Sequence, residues 1–327
     1  MAGAGEVRAL RRRVRSVQSI KKITKAMELI AASRILRAQA RVAAARPYAE
    51  QITAVIQNLA AAGGALDHPL LVERAEVRRV GFLVVAGDRG LAGGYNSAVI
   101  RQAERALRAE VALGRDYSLI LVGKKANDYF RFRRYRIDAS FAGFSDSPTY
   151  EDARAVAEVV RERFEAGQVD QLELIFTRFL SVATQRVAVR RFLPLEAEAI
   201  SEMASGGPQA DYEFEPEPGQ ILDAIVPRYV EARVYAAMLD AAASEHAARQ
   251  RAMKSATDNA EELITVLQRS MNRARQDAIT NEIMQITSGA EALAAAASGD
   301  VDLLRDRIED PDVFRHFQHT LDRRNHR

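Results

Sequence analysis

The feature that most constrains this chain is a pair of long stretches, one at each end, that are almost free of glycine and proline. The first runs from about Val7 to Leu59 and the second from about Leu222 to Leu293. Gly289 is the only glycine in either, and Pro47 and Pro227 are the only prolines. Apolar residues recur at three- and four-residue steps: Val7, Leu10, Val14, Val17, Ile20, Ile23, Met27 and Ile30, then Met253, Ala256, Ala260, Leu263 and Leu267. That spacing puts them on one face of a helix, and its persistence over several turns is a coiled-coil pattern. Either helix alone would leave its stripe in water, so the pattern predicts an antiparallel pair that brings the termini together around a compact middle. The expected seam is Val14, Val17, Ile23, Ile30, Ala256, Leu263 and Leu267. At ~1.5 Å per residue the stretches reach roughly 80 Å and 110 Å, well beyond an ordinary domain.

The middle has a different rhythm. Arg78–Gly87 (RRVGFLVVAG) and Tyr117–Val122 (YSLILV) are short apolar, β-branched runs, each closed by glycine, and read as buried strands. Ser97–Leu113 and Tyr150–Phe164 have helical periodicity, the latter with Thr149 or Ser147 as its cap beside Pro148. Gln171–Phe179 and Ala183–Phe192 read as a hairpin at the sheet edge. Strands alternating with helices indicate a small, mainly parallel sheet. The fold class expected is therefore α plus α/β: a long antiparallel coiled coil of N- and C-terminal helices with a small Rossmann-like α/β domain. The corresponding divisions are residues 1–60 (N-terminal helix), 76–195 (α/β domain), 196–218 (acidic linker), 219–296 (C-terminal helix) and 297–327 (extension, disordered or in short helices).

Charge is unevenly placed. The net charge is only +3, yet residues 8–46 carry 12 basic side chains against the single acid Glu28. The basic residues are interleaved with the apolar stripe and lack aromatic neighbours for stacking. The pattern therefore favours a solvated face, or an acidic protein partner, over nucleic acid. With no cysteine there is no disulfide or thiolate site. The N-terminus has no apolar core of a secretory signal, and helical periodicity from Val7 leaves no room for a transit peptide. No run of 18 apolar residues is present, so membrane association is expected only through partners.

Chemistry is scarce. Asp88–Asn96 (DRGLAGGYN) lies between a strand and a helix, where phosphate-binding turns sit, but its glycine spacing matches neither the dinucleotide fingerprint nor a P-loop. His68, His246, His316, His319 and His326 show no metal spacing; His316 and His319 could share a helix face but have no third ligand. No Ser/His/Asp set or carboxylate pair is recognisable. The residues predict no catalytic function, cofactor or metal.

Four segments are more specific than the architecture. They are Ser16–Ala32 (SVQSIKKITKAMELIAA), Asp88–Asn96, Ser244–Ala260 (SEHAARQRAMKSATDNA) and Asn272–Ala290 (NRARQDAITNEIMQITSGA). In this order and spacing they closely resemble the gamma subunit of the bacterial F-type ATP synthase, over about residues 2–293. The resemblance implies a central rotor shaft inside a ring of three alpha and three beta subunits, coupling c-ring rotation and proton transport to ATP synthesis. The α/β domain would be a foot on the epsilon subunit and the c ring, peripheral on the cytoplasmic side of the bacterial inner membrane. By motif matching, Lys22, Lys25, Met27, Ala92, Arg275, Gln276 and Thr280 would face beta subunits, and Tyr212, Glu213, Phe214 and Glu215 would approach the c ring and epsilon. Departures are Ala92 for a usual cysteine, Tyr95 for a leucine, Pro227 where the second helix should kink or begin, and 34 residues beyond the family's usual end. Two other classes compete. A nucleotide-binding α/β protein gripping RNA with a coiled-coil arm would melt at a nucleotide-dependent temperature. A static scaffold or diverged paralogue would bind the same partners without coupling.

Overall fold

A computed structural model describes residues 2–61, 68–195 and 218–297; the expectations for Tyr212–Glu215 and for residues 298–327 of the extension lie outside them. The chain divides into two compact units, one of Met1–Ser19 with Ala260–Arg327 and one of Ile20–Asn259. Helix α1 covers Ala2–Ala61, with Pro47 inside it. The C-terminal helix, here α5, covers Pro218–Ala297, 80 residues or about 120 Å of helix. It opens at Pro218 and carries Pro227 in its interior, so the expectation that Pro227 marks the first turn is corrected.

In the smaller unit, Val14 and Val17 bury against Ala260 and Leu267, with Leu10 and Ile264 half-buried beside them. In the larger unit the buried face of α1 continues as Thr24, Ala31, Ile35 and Ala38, and that of α5 includes Met253 and Thr257. The hydroxyls of Thr24 and Thr257 meet at 2.8 Å. Together with half-buried Lys21 and Glu28, the buried positions of α1 advance by alternating threes and fours. That is a strict 3.5-residue repeat.

The expected seam therefore needs correction. Ile23 is 59% exposed, Ile30 55% and Leu263 41%, while Ala256 is half-buried at the edge. Following bulk through Val17, Ile20 and Ile23 takes successive three-residue steps, each about 60° short of a full turn, and walks off the contact face. The positions that do face the partner helix are small or polar: Thr24, Ala31, Thr257 and Ala260.

The larger unit contains an open five-stranded sheet. Its elements are β1 (Arg79–Val85), α2 (Tyr95–Ala112), β2 (Asp116–Val122), α3 (Lys124–Phe132), β3 (Ala139–Phe141), α4 (Tyr150–Glu165), β4 (Gln171–Phe179) and β5 (Gln185–Leu193). The strand order is β3-β2-β1-β4-β5. All neighbours are parallel except β4 and β5, the antiparallel edge pair. Val80 to Val85 are all buried because both faces of β1 are covered. On one face Phe82, Leu119 and Leu121 pack with Val99, Ala103 and Leu107 of α2 and Phe130 of α3. On the other, Leu83, Ile120 and Leu174 belong to a larger cluster with Val156 and Val160 of α4, Ile52 and Ile56 of α1, and Val226, Val230 and Val234 of α5. Thr149, not Ser147, caps α4 in a reciprocal capping box with Asp152. Helix α3 and strand β3 were not anticipated; nine and three residues are too short to show a period.

Candidate functional site

Two kinds of surface bear on function: a buried polar knot around the Asp88 turn, and the outward faces of the two long helices. The knot begins where β1 ends. One carboxylate oxygen of Asp88 accepts the amide of Lys124 at 2.8 Å. The other accepts the amides of Gly143 at 2.8 Å and Ser145 at 3.0 Å. Burial pushes the Asp88 pKa up, but these amide bonds more than offset it and the net shift is downward. Asn96 closes the turn, accepting from the Gly87 amide at 2.8 Å and donating to the Arg89 carbonyl at 3.0 Å. Leu91 is held at φ +60°, unusual for a branched apolar residue, and stands 63% exposed.

Helix α5 enters the knot through Glu245, His246 and Arg249, all buried. The guanidinium of Arg249 donates to Glu245 and, at 3.3 Å, to the Gly90 carbonyl. The Ser145 hydroxyl lies 3.4 Å from the second Glu245 oxygen. Desolvation raises the Glu245 pKa in spite of that pairing. Nε2–H of His246 donates to the Asp146 carbonyl at 2.9 Å, and burial lowers its pKa, so it sits as the neutral ring. Arg34 of α1 completes the knot with a 2.5 Å bond to the Asp146 carboxylate. Turn, sheet and both long helices are thus cross-linked by buried charge within the larger unit. A cross-link of this kind transmits force without slipping. It offers no nucleophile beside a base, and no group of three metal-ligating side chains occurs among the described residues.

Most of the residues expected to face partners are on the surface. Lys22 and Lys25 are exposed, Lys25 pairing with Glu28 at 3.1 Å, while Met27 is half-buried. Arg275, Gln276 and Thr280 are exposed on α5. Ala92 is the correction: only 2% exposed, it has no face to offer, and the residue this turn presents is Leu91. The structure brings Lys22, Lys25 and Met27 together on one stretch of α1 and Arg275, Gln276 and Thr280 on one stretch of α5. The sequence reading missed Asp88 as an organiser and Glu245, His246 and Arg249 as a buried set. Their signal was available: charged residues i, i+1 and i+4 inside an alanine-rich run, which have nowhere to go but inward if the run is core.

From Arg275 to Ala296, α5 has no buried residue, and only Ala278 is even half-buried. Yet Ile279, Ile283, Met284, Ile286 and Leu293 stand there between 47% and 73% exposed. Exposed bulk on a helix without a partner in its own chain marks a surface made to be enclosed.

The comparisons agree with this geometry. Residues 6–293 match the family model described as ATP synthase. The chain is 52% identical over 298 residues to the ATP synthase gamma chain of Parafrankia sp., covering 90% of this chain and 100% of the relative. It is 50% identical to that of Mycolicibacterium smegmatis over 307 residues, covering 90% and 99%. Among solved structures it resembles a chain of the Tetrahymena thermophila mitochondrial ATP synthase central stalk and c ring (TM-score 0.55, 25% identity, 72% of this chain and 99% of that one). A chain of the Euglena gracilis mitochondrial ATP synthase shares the fold at TM-score 0.62 and 17% identity, covering 90% and 97%. With helices built for enclosure, a small α/β unit locked to them and matches across nearly its whole length, the chain belongs to the ATP synthase gamma-chain family.

Proposed function

We infer that this chain is the central rotor shaft of a proton-translocating F-type ATP synthase. It couples rotation of the c ring to the nucleotide states of the beta subunits, with no bond made or broken on itself. Its partners are the alpha and beta subunits that surround the helices, and the epsilon subunit and c ring at the α/β foot. No helix among the described residues is long and apolar enough to cross a membrane. The chain therefore joins the membrane complex peripherally, and we place it on the cytoplasmic side of the bacterial inner membrane.

The observation that carries the reading is the lone, apolar, outward-facing stretch of α5 from Arg275 to Ala296. A helix of that length is marginal in water without packing, so it calls for a surrounding sleeve. Small and aliphatic side chains on such a bearing have no preferred hydrogen-bonded register and so resist stalling at one angle. Polar residues set among them favour particular dwell angles; we assign that role toward beta to Lys22, Lys25, Met27, Arg275, Gln276 and Thr280, with Leu91 in place of Ala92. Tyr212, Glu213, Phe214 and Glu215 are assigned to the c ring and epsilon.

The absence of native cysteine makes the test direct. A single Gln276→Cys change, paired with a cysteine in the facing beta loop, should cross-link in the assembled complex. Oxidation should stop ATP hydrolysis and reduction should restore it. Undiminished hydrolysis with the cross-link in place would instead indicate a static scaffold.

A further inference from the structure

The sheet changes direction at β1: β2 and β3 lie on one side, and β4 on the other. At such a point the connections part outside the carboxyl ends of the strands, leaving a crevice where open α/β sheets bind ligands. Here α5 runs across it, Ser244 donating to the Thr177 carbonyl at 3.1 Å. The crevice is not filled. A cavity of about 420 Å³ remains, with Gly93, Gly94, Thr177, Gln185 and Arg251 in its lining.

Three features of this cavity point the same way. Helix α2, 18 residues long, begins at its wall with Gly94 as N-cap, which has no side chain to accept from the first turn. The Tyr95 amide returns to the Ala92 carbonyl at 3.2 Å and that of Ala98 to Gly94 at 2.9 Å. The amides of Asn96 and Ser97 between them have no acceptor among the described residues. Second, Thr177 is 5% exposed and its hydroxyl has no hydrogen-bond partner. A buried hydroxyl left without a partner is costly, and a ligand that supplies one recovers that cost. Third, the Arg251 guanidinium is held at the rim by the carbonyls of Val182 and Ala183 and by the Gln185 side chain, with no carboxylate paired to it. Its charge is positioned and not neutralised.

We propose that this cavity binds a small phosphate-bearing anion, either inorganic phosphate or a small phosphate monoester. The α2 amides and helix dipole face the negative charge, Thr177 donates to a phosphate oxygen, and Arg251 supplies the counter-charge. The volume is in the range of small-molecule sites and exceeds what a bare phosphate needs, so a short ester also fits.

The test is isothermal titration and thermal melting of the full-length chain with inorganic phosphate and, separately, glycerol phosphate, at ionic strength held constant with chloride. Saturable binding at one site is expected, with a melting temperature that rises with ligand concentration. Thr177→Val and Arg251→Gln should each weaken binding at least about tenfold, the factor that corresponds to one lost charge-assisted hydrogen bond. Thr177→Val should melt no lower than the parent chain without ligand, because it removes an unpartnered hydroxyl. Tighter binding of inorganic phosphate identifies that ion as the occupant, and tighter binding of glycerol phosphate identifies an ester. The proposal fails if neither probe saturates, if both variants bind like the parent, or if Thr177→Val lowers stability while Arg251→Gln binds normally.

Discussion

The sheet and the two-helix seam bury apolar surface in opposite styles. In the sheet the largest side chains are the most deeply buried: Phe82, Phe130 and Phe164 are fully enclosed. In the smaller unit the seam is made of Val14, Val17, Ala260 and Leu267, while Val266, Ile279 and Ile283 point outward. The sheet must hold together from its own residues. The helices keep bulk back for surfaces that other chains cover, and their seam is correspondingly thin. Mutations should therefore be severe in the sheet, moderate in the seam and silent on the outer faces when the chain is alone.

The largest effect belongs to Gly123, at the turn between β2 and α3. Its φ is +101°, and an added Cβ would fall 2.3 Å from the Ala86 carbonyl oxygen, a backbone atom with no room to move. Gly123→Ala should cost more than about 3 kcal/mol, combining backbone strain with a clash. Urea unfolding of the sheet unit measures it; a loss below about 1 kcal/mol would mean this turn yields more readily than a closed core allows.

Next comes Arg249, whose removal leaves Glu245 buried without its cation. Breaking such a pair typically costs ~3–5 kcal/mol, and Arg249→Met should fall in that range. Adding Glu245→Gln should return much of the loss, because an uncharged amide tolerates burial better. If the double variant is as unstable as the single, the knot is held by packing and not by charge.

Leu267 and Leu263 provide the sharpest test of the seam, being one helical turn apart with 6% and 41% exposure. Leu267→Ala should cost about 2–3 kcal/mol and Leu263→Ala less than about 1. Equal losses would show that the helix presents a different face in solution.

That pair also shows what was legible from sequence. Helix lengths, the strands β1, β2, β4 and β5, and the edge hairpin follow from local periodicity, because each buries residues at a spacing the chain displays. The phase of the seam does not. Thr24, Ala31 and Thr257 look unremarkable by hydrophobicity, and are selected by the closeness of a second backbone distant in sequence. The polar knot was hidden for the same reason: Asp88, Asp146 and Glu245 are ordinary acids until three separate turns are brought to one point. The outward Ile and Leu residues were counted as seam because sequence alone does not distinguish surface kept for a partner within the chain from surface kept for another subunit.

A smaller effect concerns pH. His246 has a pKa below its usual 6.5, chiefly because burial penalises the charged ring. Below pH 6.5 the unfolded chain binds a proton that the folded chain resists, so the stability this neutral ring lends is present above 6.5 and declines as pH falls. Buried His68 is shifted the same way, and Glu245, raised above its usual 4.5, acts in the opposite sense from pH 4.5 upward to its folded value. His246→Gln should therefore flatten, without abolishing, the fall in melting temperature just below pH 6.5. An unchanged slope would mean His246 exchanges protons freely with solvent.

The smallest effect on the isolated chain is expected at Ile283, 55% exposed on a stretch of α5 that has no buried neighbour. Ile283→Asp removes no contact within the chain and buries no charge, so its unfolding free energy should stay within about 0.5 kcal/mol of the parent. In the assembled complex the same aspartate would meet an apolar sleeve and be desolvated without a partner, a penalty of several kcal/mol. Native gel and sedimentation analysis of the reconstituted complex should show impaired incorporation for Ile283→Asp and normal incorporation for Ile283→Leu. If the aspartate variant assembles and hydrolyses ATP normally, the outward apolar face is not a bearing, and the contrast between the two regions would reflect tolerance in place of purpose. If instead the isolated chain is itself destabilised, this stretch of α5 is covered by its own chain, and the proposed sleeve is not what the exposed residues await.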